Sequence, residues 1–165
     1  MKIFDKKEQI KILKIILIMI WMITIFVFSG QQGTESGDTS RKFTIMIIRI
    51  LTGKSLDLNS PFVEGIQLFI RKFAHFTIYA IGGFLIMNYE YTTDKTFKKK
   101  MLHSICFGGG YAFTDELHQF FVPGRSGNVL DVGIDTMGVI TGIFMYLVIR
   151  KFIYKIKNKH NTEVI

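Results

Sequence analysis

The sequence predicts an all-α membrane protein: a polytopic four-helix transmembrane bundle, with an extracytoplasmic amphipathic helix between helices 1 and 2. Three observations lead there. Apolar residues gather in four blocks, at about 10–28, 73–91, 101–122 and 129–149, each near the ~20 residues that a bilayer requires. Lysines crowd between the blocks and at the chain ends. Sixteen phenylalanines and only two prolines suit lipid-facing helices with few interruptions. The apolar fraction of 48% is ordinary, so its distribution decides the class. With 165 residues, no internal repeat and no soluble segment of domain size, the chain reads as a single domain.

The first block, from about Ile10 to Phe28, begins with Lys11 and Lys14, which can reach the headgroups along their aliphatic stems. A signal peptide cleaved near Val27-Phe28-Ser29 is a rival reading, but three more blocks follow and favour a retained helix. In residues 38–52, Phe43, Met46, Ile47 and Ile50 recur at helical spacing, with Arg41, Lys42 and Arg49 between them. This stretch is too short to span. An interfacial helix and an ordinary helix packed on the bundle both fit it. Next, Ser60 is placed as N-cap and Pro61 as first residue of a helix whose spanning part starts near Phe73, after Arg71 and Lys72. Pro123-Gly124-Arg125-Ser126-Gly127 makes the turn between blocks three and four.

Charge placement sets an expected orientation. Lys2, Lys6, Lys7, Lys11 and Lys14, then Lys95, Lys98, Lys99 and Lys100, then Arg150, Lys151, Lys155, Lys157 and Lys159 all fall on one side of a four-span topology. The positive-inside rule makes that side the cytoplasm, with both termini there and the chain multi-pass in the cell membrane. The net charge of +8 therefore points to topology and anionic lipid, and away from nucleic acid. A single cysteine, Cys106, excludes an intramolecular disulfide and a cysteine zinc cage.

The polar residues inside the blocks form stripes. Lys72, His75, Tyr79, Gly82 or Gly83, and Ile86 share one helix face; so do Gly108, Ala112, Asp115 and Gln119, and again Asp131, Asp135, Gly138 and Gly142. The glycines suit close helix packing, with Gly138 and Gly142 at the small-xxx-small spacing. The polar halves are harder to explain, because a charge at a helix centre costs ~2.5–3.5 kcal/mol to insert. A salt-bridge network with Arg71, Lys72, Arg125 and His75 would offset that cost; a ligand site would give it a use. The adjacent carboxylates Asp115 and Glu116 suit an acid–base pair, although neighbours on a helix point ~100° apart. His75 could carry a proton. His75, His118, Asp115 and Asp131 lack any His-x-x-x-His or Glu-x-x-His pair, so no metal and no cofactor is expected.

Arg71-Lys72-Phe-Ala-His75-Phe-Thr-Ile-Tyr79 resembles the first motif of the VanZ-like membrane proteins. Thr114-Asp115-Glu116-Leu-His118-Gln119-Phe-Phe-Val-Pro123-Gly124-Arg125, running on to Asp131, resembles their second, and Phe28-Ser29-Gly-Gln31 resembles the pattern that often ends their first helix. The likeness covers most of residues 15–148. Many such proteins carry Asn at the place of Asp135, so that position needs polarity and not necessarily charge. The resemblance implies a four-helix membrane protein associated with resistance to teicoplanin, a lipid-tailed glycopeptide antibiotic; it supplies no reaction. Three functions compete. A binding site for a lipid headgroup or lipid-linked envelope molecule would use Lys72 and Arg125 for the anion, with Asp115, Glu116 and His75 orienting it and Gln119, Asp131 and Tyr79 beside them. An enzyme would use Asp115 or Glu116 as base and His75 as acid. A structural bundle would use the charges for helix register alone. A homo-oligomer remains open.

Overall fold

A computed structural model describes residues 5–31, 33–53, 61–125 and 127–162. Among these residues the regular structure is all α-helix, without strands: α1 (Lys6–Ser29), α2 (Gly33–Thr52), α3 (Pro61–Glu90), α4 (Phe97–Phe120) and α5 (Val129–Thr162). Pro61 opens α3, as its fixed φ and missing N–H favour; the expected cap Ser60 lies outside the described residues. Gly53, at φ 66°, ends α2, its N–H donating to the Arg49 carbonyl at 3.0 Å. Gly124, at φ 75°, makes the turn after α4, and the Asn128 side chain caps α5 by accepting from the Leu130 N–H at 3.0 Å.

The helices overrun the apolar blocks. α3 has 30 residues and α5 has 34, against the ~20 that the hydrocarbon needs. Basic residues such as Arg71, Lys72 and Arg150 mark where hydropathy falls, but they are good helix formers and do not stop the backbone. Among the described residues, three helices are long and apolar enough to cross a membrane: α1, α3 and α5. α4 is not in that set, because Lys98, Lys99 and Lys100 crowd its start and Asp115, Glu116 and Gln119 occupy its other end.

α1 and α4 run towards one end of the bundle, where α3 and α5 begin. That end gathers the polar stripes and is called the polar end below. The opposite, lysine-rich end has its own buried charge: Glu90 is 1% exposed, with Lys95 Nζ at 3.1 Å and His103 Nδ1 at 2.7 Å. Lys14 does not simply reach for headgroups; its Nζ donates to the Asn88 carbonyl of α3 at 2.8 Å.

α3 and α5 form the tightest pair. A Cβ at Gly142 would lie 1.8 Å from the Ala80 carbonyl oxygen, and one at Gly83 would lie 2.1 Å from that of Val139. Only glycine permits backbones this close, so the stripe glycines are packing residues. Trp21 of α1 seats its ring over Gly82 and donates Nε1–H to the Ile78 carbonyl at 2.8 Å. Tyr79, Met87, Ala112, Val139 and Ile143 complete the core. The outward faces are apolar as well, with Phe26, Phe113, Phe144 and Phe152 all exposed, as lipid contact requires.

α2 begins earlier than the predicted 38–52 stretch and packs on α3, where Gln67 Nε2 donates to the Gly37 carbonyl at 2.9 Å. Among its described side chains Thr44 and Ile48 are buried, while Phe43, Met46 and Ile50 stay exposed. Of the apolar stripe, Met46 and Ile50 are thus turned outward, Ile47 is half-buried, and Phe43 borders the cavity described below.

Candidate functional site

Three helices and one turn build the polar end. The 3.6-residue period of α3 delivers Lys72, His75 and Tyr79 to one face; α4 delivers Asp115 and Gln119 one turn apart; α5 enters with Asp131 and Asp135. Glu116, which could have faced lipid, is buried too, at 5% exposure. The turn after α4 folds back over it. Gly127 packs so tightly that a Cβ would lie 2.4 Å from the Glu116 carbonyl oxygen, and the Asn128 N–H donates to Glu116 Oε2 at 2.9 Å.

The pairings separate a rim from an interior. At the rim, Lys72 is ion-paired with Asp131, both partly exposed. Arg125 donates Nη1–H to Gln119 Oε1 at 3.2 Å and Nη2–H to the Phe28 carbonyl at 3.1 Å, tying the turn to α4 and α1. Burial, and then the neighbouring Arg71 charge, lowers the pKa of this guanidinium from its ordinary value. Gln119 Nε2 in turn donates to Asp115 Oδ2 at 3.1 Å. In the interior, His75 Nδ1 stands 3.5 Å from Asp135 Oδ2, and Asp135 is fully buried.

The interior is under-satisfied. Among the described residues, the buried side-chain polar atoms without a hydrogen-bond partner are Ser29 Oγ, the Tyr79 hydroxyl, His118 Nδ1, Arg125 Nε and both carboxylate oxygens of Asp135. All belong to the polar end. Buried polar groups are ordinarily paired, because leaving one unmet costs ~1–3 kcal/mol. The contrast with Glu90, which is well paired at the other end, makes this deficit local.

The cluster also differs from the metal set weighed on sequence. Asp131 is held by Lys72, and His118 stacks on Phe26 with centroids 4.6 Å apart. Instead, His75, Asp115, Glu116 and Asp135 each offer one donor atom, all within 4.8 Å of one another. They come from three helices, so no local spacing could reveal them. Helical spacing marks Asp135 as a polar position without assigning it to the site, and Ser29 enters only through its motif.

Beside this cluster opens a cavity of about 370 Å³, bounded by α1, α2 and α3 and reaching Asp115 and Arg125. Its walls are mostly apolar, among them Ile25, Phe28, Phe43, Ile70 and Ile78. Its polar lining includes Arg71, His75, Asp115 and Arg125. Lys72, Gln119 and Asp131 do not line it, but border a small void next to it with His75, Glu116 and Asp135.

The sequence model of the VanZ/LLP1 family matches residues 14–150, from the first turns of α1 into α5, and every residue of the cluster lies inside that range. No curated protein and no solved structure matches the chain.

Proposed function

The chain belongs to the VanZ/LLP1 family, and from that premise we propose that it binds an anionic lipid headgroup, or the head of a lipid-linked envelope molecule, at its polar end. The observation that carries this is the deficit itself: unmet donors on Arg125, Tyr79 and Ser29 sit where an apolar cavity of about 370 Å³ meets Arg71 and Arg125. An acyl chain suits the apolar walls, and a phosphate or carboxylate suits two guanidinium groups. Arg71 has no carboxylate partner among the described residues, which leaves its charge for a ligand.

The proposal carries a topology. α4 crosses with α1, α3 and α5, making four spans. Its polar side is turned inward, while Leu102, Phe107, Phe113 and Leu117 are exposed on the other side, so mean hydropathy understates it. The lysine-rich end then lies in the cytoplasm with both termini, and the site opens to the outer leaflet of the cell membrane. A protein placed there can intercept a lipid-tailed glycopeptide such as teicoplanin. The approach of Asp115, Glu116 and His75 within 4.8 Å favours a second reading, acid–base catalysis on the same class of ligand.

The test is native mass spectrometry of protein extracted in mild detergent. Wild type should retain a lipid-sized adduct, and Arg125→Ala should lose most of it at unchanged helicity. Equal retention by the two proteins, or no adduct on wild type, would refute the binding site.

A further inference from the structure

We infer that His75, Asp115, Glu116 and Asp135 bind one divalent transition-metal ion between α3, α4 and α5. Four donor atoms within 4.8 Å of one another are already gathered without an ion. Metal–ligand bonds of ~2.0–2.2 Å set any two donors of one ion at most ~4.4 Å apart, so modest rotamer changes draw the set in. Proximity of carboxylates alone would not make a site. Two further observations point to an occupant. Asp135 is fully buried and neither of its oxygens has a hydrogen-bond partner. A void of about 10 Å³ lies against His75, Glu116 and Asp135, the size of a single small guest.

The surroundings match those of metal ligands. Asp115 keeps one oxygen on Gln119 and Glu116 keeps one on the Asn128 N–H, which leaves each a second oxygen to donate. Partners of this kind orient ligating carboxylates. Arg71 and Lys72 also border the void, and Lys72 is neutralised by Asp131. One imidazole nitrogen with three carboxylate oxygens and no sulfur selects Mn²⁺ or Zn²⁺ over soft ions, and the imidazole disfavours Mg²⁺ and Ca²⁺. The inference stands apart from the lipid reading, because its test reads metal and not lipid.

The experiment takes untagged full-length protein in detergent, stripped with chelator, and dialyses it against Mn²⁺, Zn²⁺ or Mg²⁺. Elemental analysis gives the ion content, and Trp21 emission follows the thermal melt. Wild type should hold one Mn²⁺ or Zn²⁺ per chain and melt at a higher temperature with it than with Mg²⁺. His75→Ala and Glu116→Gln should weaken binding at least ~10-fold, and His103→Ala, at the opposite end, should leave it unchanged. The melts without metal show whether each variant is folded. Substoichiometric metal on wild type with no shift in its melt, or the same content in folded His75→Ala and Glu116→Gln proteins, would overturn the assignment; the cluster would then be held by shared protons.

Discussion

Asp135→Asn separates a ligand site from a structural salt bridge. Asp135 is fully buried, and its one ion-pair partner among the described residues is His75 at 3.5 Å. A fully protonated imidazole at that distance attracts the carboxylate by about 5 kcal/mol at an effective dielectric near ~20. Desolvating the carboxylate costs several kcal/mol, and Asp115 and Glu116 repel it from the same cluster. The gain and the costs therefore nearly cancel, and the amide isostere removes both. In metal-free protein, Asp135→Asn should leave stability within ~1 kcal/mol of wild type or raise it. A pair that held the fold together would instead lose ~3–5 kcal/mol on losing one partner, a fall in melting temperature of roughly 10 °C for a chain of this size. Trp21, the chain's single tryptophan, reports directly, because its ring packs edge-on against Tyr79 at 5.8 Å, one turn from His75. A fall near 10 °C in the chelator-treated variant would refute the reasoning, since the carboxylate would then be committed to the scaffold.

Gly142→Ala should destabilise the bundle by ~1–3 kcal/mol, because the added Cβ must clear the Ala80 carbonyl oxygen that stands 1.8 Å away; a detergent melt unchanged from wild type would count against the α3–α5 packing. Glu90→Gln should cost about 1 kcal/mol. Its partners Lys95 and His103 are themselves exposed enough to rehydrate, and urea titration in micelles measures the loss. Trp21→Phe gives up the bond to the Ile78 carbonyl and part of a buried ring, so a loss of ~1–3 kcal/mol is expected in the same titration, followed by circular dichroism.

Helical periodicity made much of this site legible. The spacing of Lys72, His75 and Tyr79 predicted a shared face, and the matching stripes of α4 and α5 predicted that their polar halves meet. Glycine at Gly138 and Gly142 foretold close approach. The start of α3 at Pro61 was legible from proline's preference for the first helical position; hydropathy, however, marks the membrane's edge and not the helix's end, so α5 runs on past the apolar block to Thr162. The burial of Glu116 was not legible, because it depends on the turn that brings Gly127 and Asn128 over it. The pairing of Glu90 with His103 was equally hidden, for it joins two helices across the intervening loop. The gathering of His75, Asp115, Glu116 and Asp135 was hidden for the same reason: donors from three helices leave no spacing to read.

The close contact between α3 and α5 divides the labour within the cavity. One wall is backbone against backbone and cannot give; the others, α1 and α2, rest on side chains. If the proposed lipid ligand binds there, recognition of its head should be strict, since His75, Asp115 and Arg125 are mounted on or beside the unyielding part. Accommodation of its tail should be more lenient, since the walls from α1 and α2 are apolar side chains such as Ile25, Phe28 and Phe43. Discrimination among ligands should accordingly follow head chemistry and be almost indifferent to acyl composition.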